Sequence, residues 1–259
     1  NTARARALGI SLVNREAIDL EEIMDNIYEC ACCNACVNDC ATGWDPIAFT
    51  KEVRLQAAME GKTPDYIVKM VQNCMESGNP YGVKELNAEL AEAVNAHNQK
   101  TDVLLYLGSD ARCKAPADAV NAIRLLEKAG VAFTVLAQEP DSGAAMEYMV
   151  SKAQETSALM KAAVAVMNEY ETVVVYEPFD AKVICREYQE WDMGLKAKVV
   201  TFPAYVNALL KNGKITVKHS SEAVAYQDSY ILARELNETE NAREVIVPGE
   251  KANVLEVFE

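Results

Sequence analysis

Histidine is nearly missing from this chain: only His97 and His219 occur among 259 residues. Neither sits in a recognisable acid–base constellation, so both read as structural or surface residues. Positive charge is short as well. Lysine and arginine number 25 against 39 acidic residues, for a formal net charge of −14. Such a surface repels nucleic acid and anionic membranes, which excludes both as expected partners. No run of about 18 apolar residues occurs, so no membrane-crossing helix is expected. No signal-peptide pattern opens the chain, because Asn1 to Arg6 is polar and basic with no apolar stretch behind it. The first residue is Asn rather than Met, and the expectation is a start further upstream. Several site motifs are absent too: G-x-G-x-x-G after a strand, the P-loop, H-E-x-x-H and G-x-S-x-G. No flavin or nucleotide site of its own is expected, nor a catalytic residue. The expected compartment is the cytoplasm.

Cysteine is what the chain does have. Of eight cysteines, five crowd between Cys30 and Cys40, and the others are Cys74, Cys113 and Cys185. A disulfide framework would spread its cysteines through a small secreted chain, so metal binding is the better reading. Cys30, Cys33, Cys36 and Cys40 give the spacing C-x2-C-x2-C-x3-C, that of bacterial ferredoxins. A tight loop with this spacing can aim three thiolates at three corners of one cubane [4Fe-4S] cluster. Zinc ribbons use two C-x2-C pairs separated by a longer insert, so the third closely spaced cysteine favours iron–sulfur over zinc. The fourth ligand is Cys40, with Cys74 and Cys32 as alternatives, because in two-cluster ferredoxins the last cysteine of such a run serves the other cluster. Tyr28 and Trp44 flank the run, either shielding a cluster from water or packing a core.

The patterning predicts two parts. Residues 1–100 read as a helical cluster-binding segment. Asp19 with Glu22 forms a capping-box start for a helix toward Glu29, and Asp45 at N-cap with Pro46 at N1 opens a helix through Ala58. Another helix is predicted over Val83 to His97. Residues 101–259 read as a duplicated α/β domain with a largely parallel sheet, its copies starting near Asp102 and Thr172. The predicted strands are Asp102–Leu107, Val131–Leu136, Thr172–Tyr176, Lys198–Phe202, Ala223–Gln227 and Glu244–Val247. Helices are predicted over Pro116–Lys128, Lys182–Trp191 and Ala204–Leu210. The fold class is therefore α+β.

The cysteine run, the helix after Trp44-Asp45-Pro46-Ile47 and the segment Gly78-Asn79-Pro80-Tyr81-Gly82 resemble the family of heterodisulfide reductase and glycolate oxidase iron–sulfur subunits. The likeness extends through Leu105 to Ser109, Leu126 to Leu136 and Tyr226 to Arg234, and Arg243 with Pro248-Gly249 fits the segment after it. It implies a ferredoxin-type segment followed by a domain bearing Cys-Cys-Gly motifs. Here those places read Asp141-Ser142-Gly143 and Glu177-Pro178-Phe179-Asp180, and Tyr230 stands where a later cysteine would be. Thiolates are the soft ligands such clusters need, so the second domain is expected to have lost its own cluster. Cys113 and Cys185 lie out of register and read as packing residues.

The resemblance implies an electron-transfer subunit of a hetero-oligomeric oxidoreductase, with FAD on a partner flavoprotein. Two alternatives stay open at this point. One is a non-redox scaffold stapled by its cluster, and the other is a thiol–disulfide enzyme of the heterodisulfide reductase type.

Overall fold

The computed structural model describes residues 2–218, 224–246 and 254–256. In chain order the elements begin with α1 (Ala3–Asn14), a 3-10 turn (Leu20–Ile23), α2 (Met24–Tyr28), α3 (Ala35–Asn38), α4 (Pro46–Met59), α5 (Asp65–Ser77) and α6 (Ala88–Ala96). Then come β1 (Val103–Tyr106), α7 (Ser109–Cys113), α8 (Pro116–Lys128), α9 (Ala144–Val150) and α10 (Gln154–Met167). After β2 (Thr172–Val175) follow α11 (Pro178–Lys182), a π-helical turn (Val183–Glu187) and α12 (Tyr188–Glu190). Last are β3 (Lys198–Thr201), α13 (Phe202–Lys211), β4 (Val224–Tyr226), a second π-helical turn (Ile231–Glu235), α14 (Glu240–Ile246) and β5 (Val254–Glu256). The fold is α+β, mainly helical, with a small parallel sheet.

Two compact units divide the chain. The first combines Asn1–Lys84 with Asp141–Ala162, and the second combines Glu85–Pro140 with Ala163–Glu259. The sequence boundary near residue 100 thus differs from the grouping in space, because residues 141–162 return to the first unit.

In the first unit, α4 forms where the sequence predicts it. The Asp45 carboxylate accepts from the N–H groups of Ile47 (2.8 Å) and Ala48 (3.1 Å), two donors the helix cannot satisfy itself, and Pro46 occupies the first turn. Its buried stripe is Ile47, Thr50, Val53, Arg54 and Ala57, spaced at three and four residues. Val53 and Ala57 pack with Leu20, Ile23, Met24 and Ile27. The capping box is present, with the Asp19 N–H donating to Glu22 Oε1 at 2.9 Å, though it starts a 3-10 turn before α2 takes over. In the segment Gly78 to Gly82, buried Asn79 closes its own loop. Its amide donates to the carbonyls of Ser77 and Val83 and accepts from the N–H groups of Tyr81 and Val83. These bonds give that segment a structural reason for its composition.

In the second unit, β1, β2 and β3 form one parallel sheet in that order, with Val103 opposite Thr172 and Thr172 opposite Lys198. Leu104, Leu105, Val173 and Val174 are fully buried, as parallel strands covered by helices require. Leu90 and Val94 of α6 and Val120, Ile123 and Leu126 of α8 pack in one core with Leu105 and Val174. A separate parallel pair joins β4 to β5; Ala223, Pro248 and Gly249 lie outside the described residues.

Two predicted strands are corrected. Residues 131–136 make a single bridge, at Thr134 to Leu104, because Val135 gives its N–H to the His97 carbonyl and the Thr134 hydroxyl joins the loop at Gln99 and Thr101. Residues 244–246 are helical, and Val247 lies outside the described residues. Here α14 is held by Asn207, whose amide donates to Asn241 and Glu244, and by a two-pronged Arg243–Asp228 pair at 2.8 and 2.6 Å. The predicted helix 83–97 is confined to Ala88–Ala96, started by Asn87, whose side chain accepts from the Glu89 N–H.

The two π-helical turns carry matching sequences, Val-Ile-Cys-Arg-Glu and Ile-Leu-Ala-Arg-Glu, and each buries its first two residues. Arg186 of the first pairs with Glu235 of the second, and Phe179 meets Tyr230 edge-on at 6.1 Å. The two turns thus share a sequence pattern and pack together.

Gly108 ends β1 at φ +87°, a conformation open to glycine and strained for other residues. An added Cβ would lie 2.1 Å from Asp180 Oδ2 and 2.8 Å from Glu177 Cβ. Gly108→Ala is expected to destabilise the second unit by about 2 kcal/mol or more, from strain and clash together. Urea unfolding followed at Trp191 measures it, and a midpoint equal to the parent protein would refute the clash.

Candidate metal centre

The five clustered cysteines all belong to the first unit and occupy the loop between α2 and α4. The loop departs from regular structure because Cys32 (φ +49°) and Asn34 (φ +60°) take left-handed conformations that reverse the chain twice. Cys36 rides on the single turn α3. Cys40 follows it, in the turn before α4. Cys30, Cys33, Cys36 and Cys40 are partly exposed, whereas Cys32 is 1% exposed.

Each thiol has its own electrostatic setting. Cys30 is drawn down to about 5, first by hydrogen bonding with Cys32 and then, against desolvation, by the Cys32 backbone and the charges of Arg6 and Arg54. Cys32 is pushed up, because it serves Cys30 as donor and is desolvated. Cys36 is raised by burial and then by the charges of Cys30 and Cys33. Cys40 is lowered by the Thr42 hydroxyl, 3.2 Å from its sulfur, and by N–H groups that include Trp44 at 3.3 Å. A sulfur surrounded by donors is stabilised as thiolate.

Beneath the loop lies Arg54, 1% exposed. Its Nη2 donates to the carbonyls of Cys30 (2.7 Å) and Ile27 (2.9 Å). Its Nη1 donates to the Tyr148 carbonyl and reaches Cys32 Sγ at 3.5 Å. The Tyr28 ring lies 4.9 Å from the guanidinium carbon, so Tyr28 packs the arginine, and its hydroxyl donates to the Met149 carbonyl. Nε has no partner, and among the described residues no carboxylate pairs with Arg54. Lys51, one turn earlier, is instead paired with buried Glu147 at 2.5 Å. Trp44 is 39% exposed, its ring tilted against Phe49 at 5.7 Å. Sequence reasoning missed Arg54; the signal was a charged residue on the apolar stripe of α4.

Among the described residues, no three His, Cys, Asp or Glu side chains converge on one point to form a metal-holding group. The donor chemistry nonetheless suits an iron–sulfur cluster: four cysteines at ferredoxin spacing, one of them cradled by donors, and a buried cation that no carboxylate balances among the described residues. Of the alternative ligands, Cys32 faces Arg54. Cys74 is 1% exposed on α5, packed with Ile67, Met146 and Val150 and set beside Asp141.

The residues at the expected Cys-Cys-Gly places make local hydrogen bonds and packing contacts. Asp141 accepts from the Gly143 N–H at 2.7 Å and Ser142 from the Ala144 N–H, so this segment starts α9. Burial pushes the Asp141 carboxyl up to about 6, and burial beside Asp141 pushes up the Cys74 thiol. Tyr230 packs on Phe179. Cys113 is half-buried and Cys185 lies within the first π-helical turn, where burial pushes its thiol up to about 11. His97 stacks on Phe133 at 4.3 Å and meets Glu127 at 2.7 Å, a packing role, while His219 lies outside the described residues.

Glu177 starts α11 by accepting from the Phe179 N–H at 2.8 Å, yet burial and then the charge of Asp110 hold its carboxyl up at about 7. A raised carboxyl favours its neutral form in the fold. Its contribution is therefore full below its ordinary 4.5 and is lost as pH rises through about 7. Glu177→Gln keeps the acceptor without the charge. It is expected to be more stable than the parent by about 1–3 kcal/mol near pH 8 and no more stable near pH 4. Urea midpoints across that range test this, and a pH-independent difference would contradict it.

Comparison with protein-family models, with curated proteins and with solved structures returns no match. Among the described residues no helix is long and apolar enough to cross a membrane.

Proposed function

We propose that this chain is an iron–sulfur electron-transfer subunit of a multi-subunit oxidoreductase, with a [4Fe-4S] cluster held by Cys30, Cys33, Cys36 and Cys40. The observation that carries the reading is the donor set itself. Four thiols stand at ferredoxin spacing in a loop whose Cys30 carbonyl is held by a buried arginine that has no carboxylate partner among the described residues. A bound cluster would supply one-electron transfer at a potential set by its charge, hydrogen bonds and exposure. The chain's own residues have a defined part in this. The Trp44 N–H and Thr42 hydroxyl hold the Cys40 sulfur, Arg54 holds the Cys30 carbonyl, and the partial exposure of four thiols leaves a short path to a partner.

The resemblance to the heterodisulfide reductase and glycolate oxidase iron–sulfur subunits supports the same reading, with FAD on a partner flavoprotein, a hetero-oligomeric assembly and a cytoplasmic setting. Thiol–disulfide catalysis is less well supported, because Asp141, Ser142 and Tyr230 cap or pack where cysteines would be needed. The competing reading is a purely structural cluster.

Two measurements separate them: iron and sulfide counts on the purified full chain, and reversible reduction followed by EPR with a copurifying flavoprotein. About four of each per chain, with a signal that appears on reduction and disappears on reoxidation, is the expected result. Iron that cannot be reduced at accessible potentials would leave a staple and end the electron-carrier reading.

A further inference from the structure

Arg54 raises a question that stability alone does not answer. A guanidinium removed from water is strongly unfavourable unless an anion balances it. Among the described residues its partners are three carbonyl oxygens, one sulfur and an aromatic face. All are neutral groups when the thiol is protonated. The position is nevertheless well built. Three donor contacts tie together the end of α2, the first cysteine of the loop and the α9 backbone at Tyr148, using the fixed fork that lysine lacks. Cys32 completes it, turned inward by its left-handed backbone with its sulfur on Nη1, while the other four cysteines of the run stay partly exposed.

We propose that Arg54, anchored on Cys32, is the charge-compensating positioning residue for an anionic group held by Cys30, Cys33, Cys36 and Cys40, acting from outside the ligand set. This rests on the cluster reading above. A thiolate-bound cubane carries net negative charge, and its reduced state carries one negative charge more. A fixed buried cation bonded to the Cys30 carbonyl would favour that extra charge and raise the potential. The same fork presets the Cys30 carbonyl, so the first ligand leaves α2 in a defined direction. Cys32 then has a role distinct from iron ligation: its sulfur anchors the guanidinium in the loop.

The test uses the full chain, purified anaerobically. It counts iron and sulfide, and it reads the reduced-to-oxidised ratio by EPR at one fixed dithionite–viologen poise. Arg54→Gln is expected to lower that ratio about tenfold, equivalent to about 59 mV for a one-electron couple. Arg54→Lys keeps the charge without the fork and, because the ratio reads charge, is expected to stay within about threefold. Cys32→Ala is expected to retain the parent's iron and sulfide. An Arg54→Gln protein with the parent's ratio overturns the charge role, and loss of iron in Cys32→Ala overturns the placement of Cys32 outside the ligand set. Should Arg54→Gln yield no soluble protein, soluble Arg54→Lys decides: a shift of tenfold or more overturns the inference, and one within threefold upholds it. A parent chain that binds no iron defeats the cluster reading itself, and that failure is visible before any variant is made.

Discussion

Serine at Cys33 or at Cys36 is expected to reduce bound iron and sulfide to below about a tenth of the parent level and to abolish the EPR signal of the reduced chain. Iron in such clusters binds soft thiolate, and a hydroxyl with a far higher pKa is a poor substitute at neutral pH. On the cluster reading Cys33 and Cys36 each supply one of four ligands, so each removal leaves an incomplete set. Cys40→Ser is expected to behave likewise, because its sulfur already sits in a cradle formed by Thr42 and Trp44. Cys74→Ser, Cys113→Ser and Cys185→Ser are expected to keep full iron. Trp44 fluorescence and helical circular dichroism separate cluster loss from unfolding. If Cys74→Ser loses iron while Cys40→Ser keeps it, the fourth ligand is Cys74. Zinc in place of iron in the parent protein would end the redox reading at once.

Local chemistry makes some of this structure legible in the sequence. Asp45 and Pro46 announce α4, Pro116 and Gly130 bracket α8, and the apolar runs at Val103 and Thr172 become neighbouring parallel strands. What stays hidden depends on partners distant along the chain. Residues 131–136 look like a strand, but the 97–101 loop takes part of their hydrogen bonding and leaves one bridge. Val245 and Ile246 have strand-like side chains, yet Asn207 and Asp228, far back in sequence, hold that segment as a helix. The helices α1, α5, α9 and α10 carry weaker punctuation, too weak to predict them. The return of residues 141–162 to the first unit has no local signature at all.

The candidate centre shows the same division. Spacing identifies the cysteines, because ligand geometry is encoded over a few residues. Arg54 could be suspected only from its place on the stripe Ile47, Thr50, Val53 and Ala57, where a charge is out of character. That its fork meets Cys30, Ile27 and Tyr148 needed the fold. Tyr28 changes meaning for that reason: it is the aromatic floor of the arginine.

Lys182→Met is expected to destabilise the second unit by about 3–5 kcal/mol, while leaving the first unit's cysteine loop unaffected. Lys182 is fully buried and paired with Glu187, whose side chain is 3% exposed. Removing one member strands a buried charge, which is far costlier than removing both. Arg186, with Nη2 at 3.5 Å from Glu187, offers partial relief and puts the expectation toward the lower end. Lys182→Met with Glu187→Leu is accordingly expected to recover most of the loss, because apolar side chains of similar volume replace a pair that was desolvated at both ends. The chain's two tryptophans make the measurement clean: Trp44 lies in the first unit and Trp191 in the second. In a Trp44→Phe background, urea unfolding at Trp191 should shift for the single variant and recover for the double. Equal loss in both variants would mean that packing volume, rather than the stranded carboxylate, is what Lys182 provides.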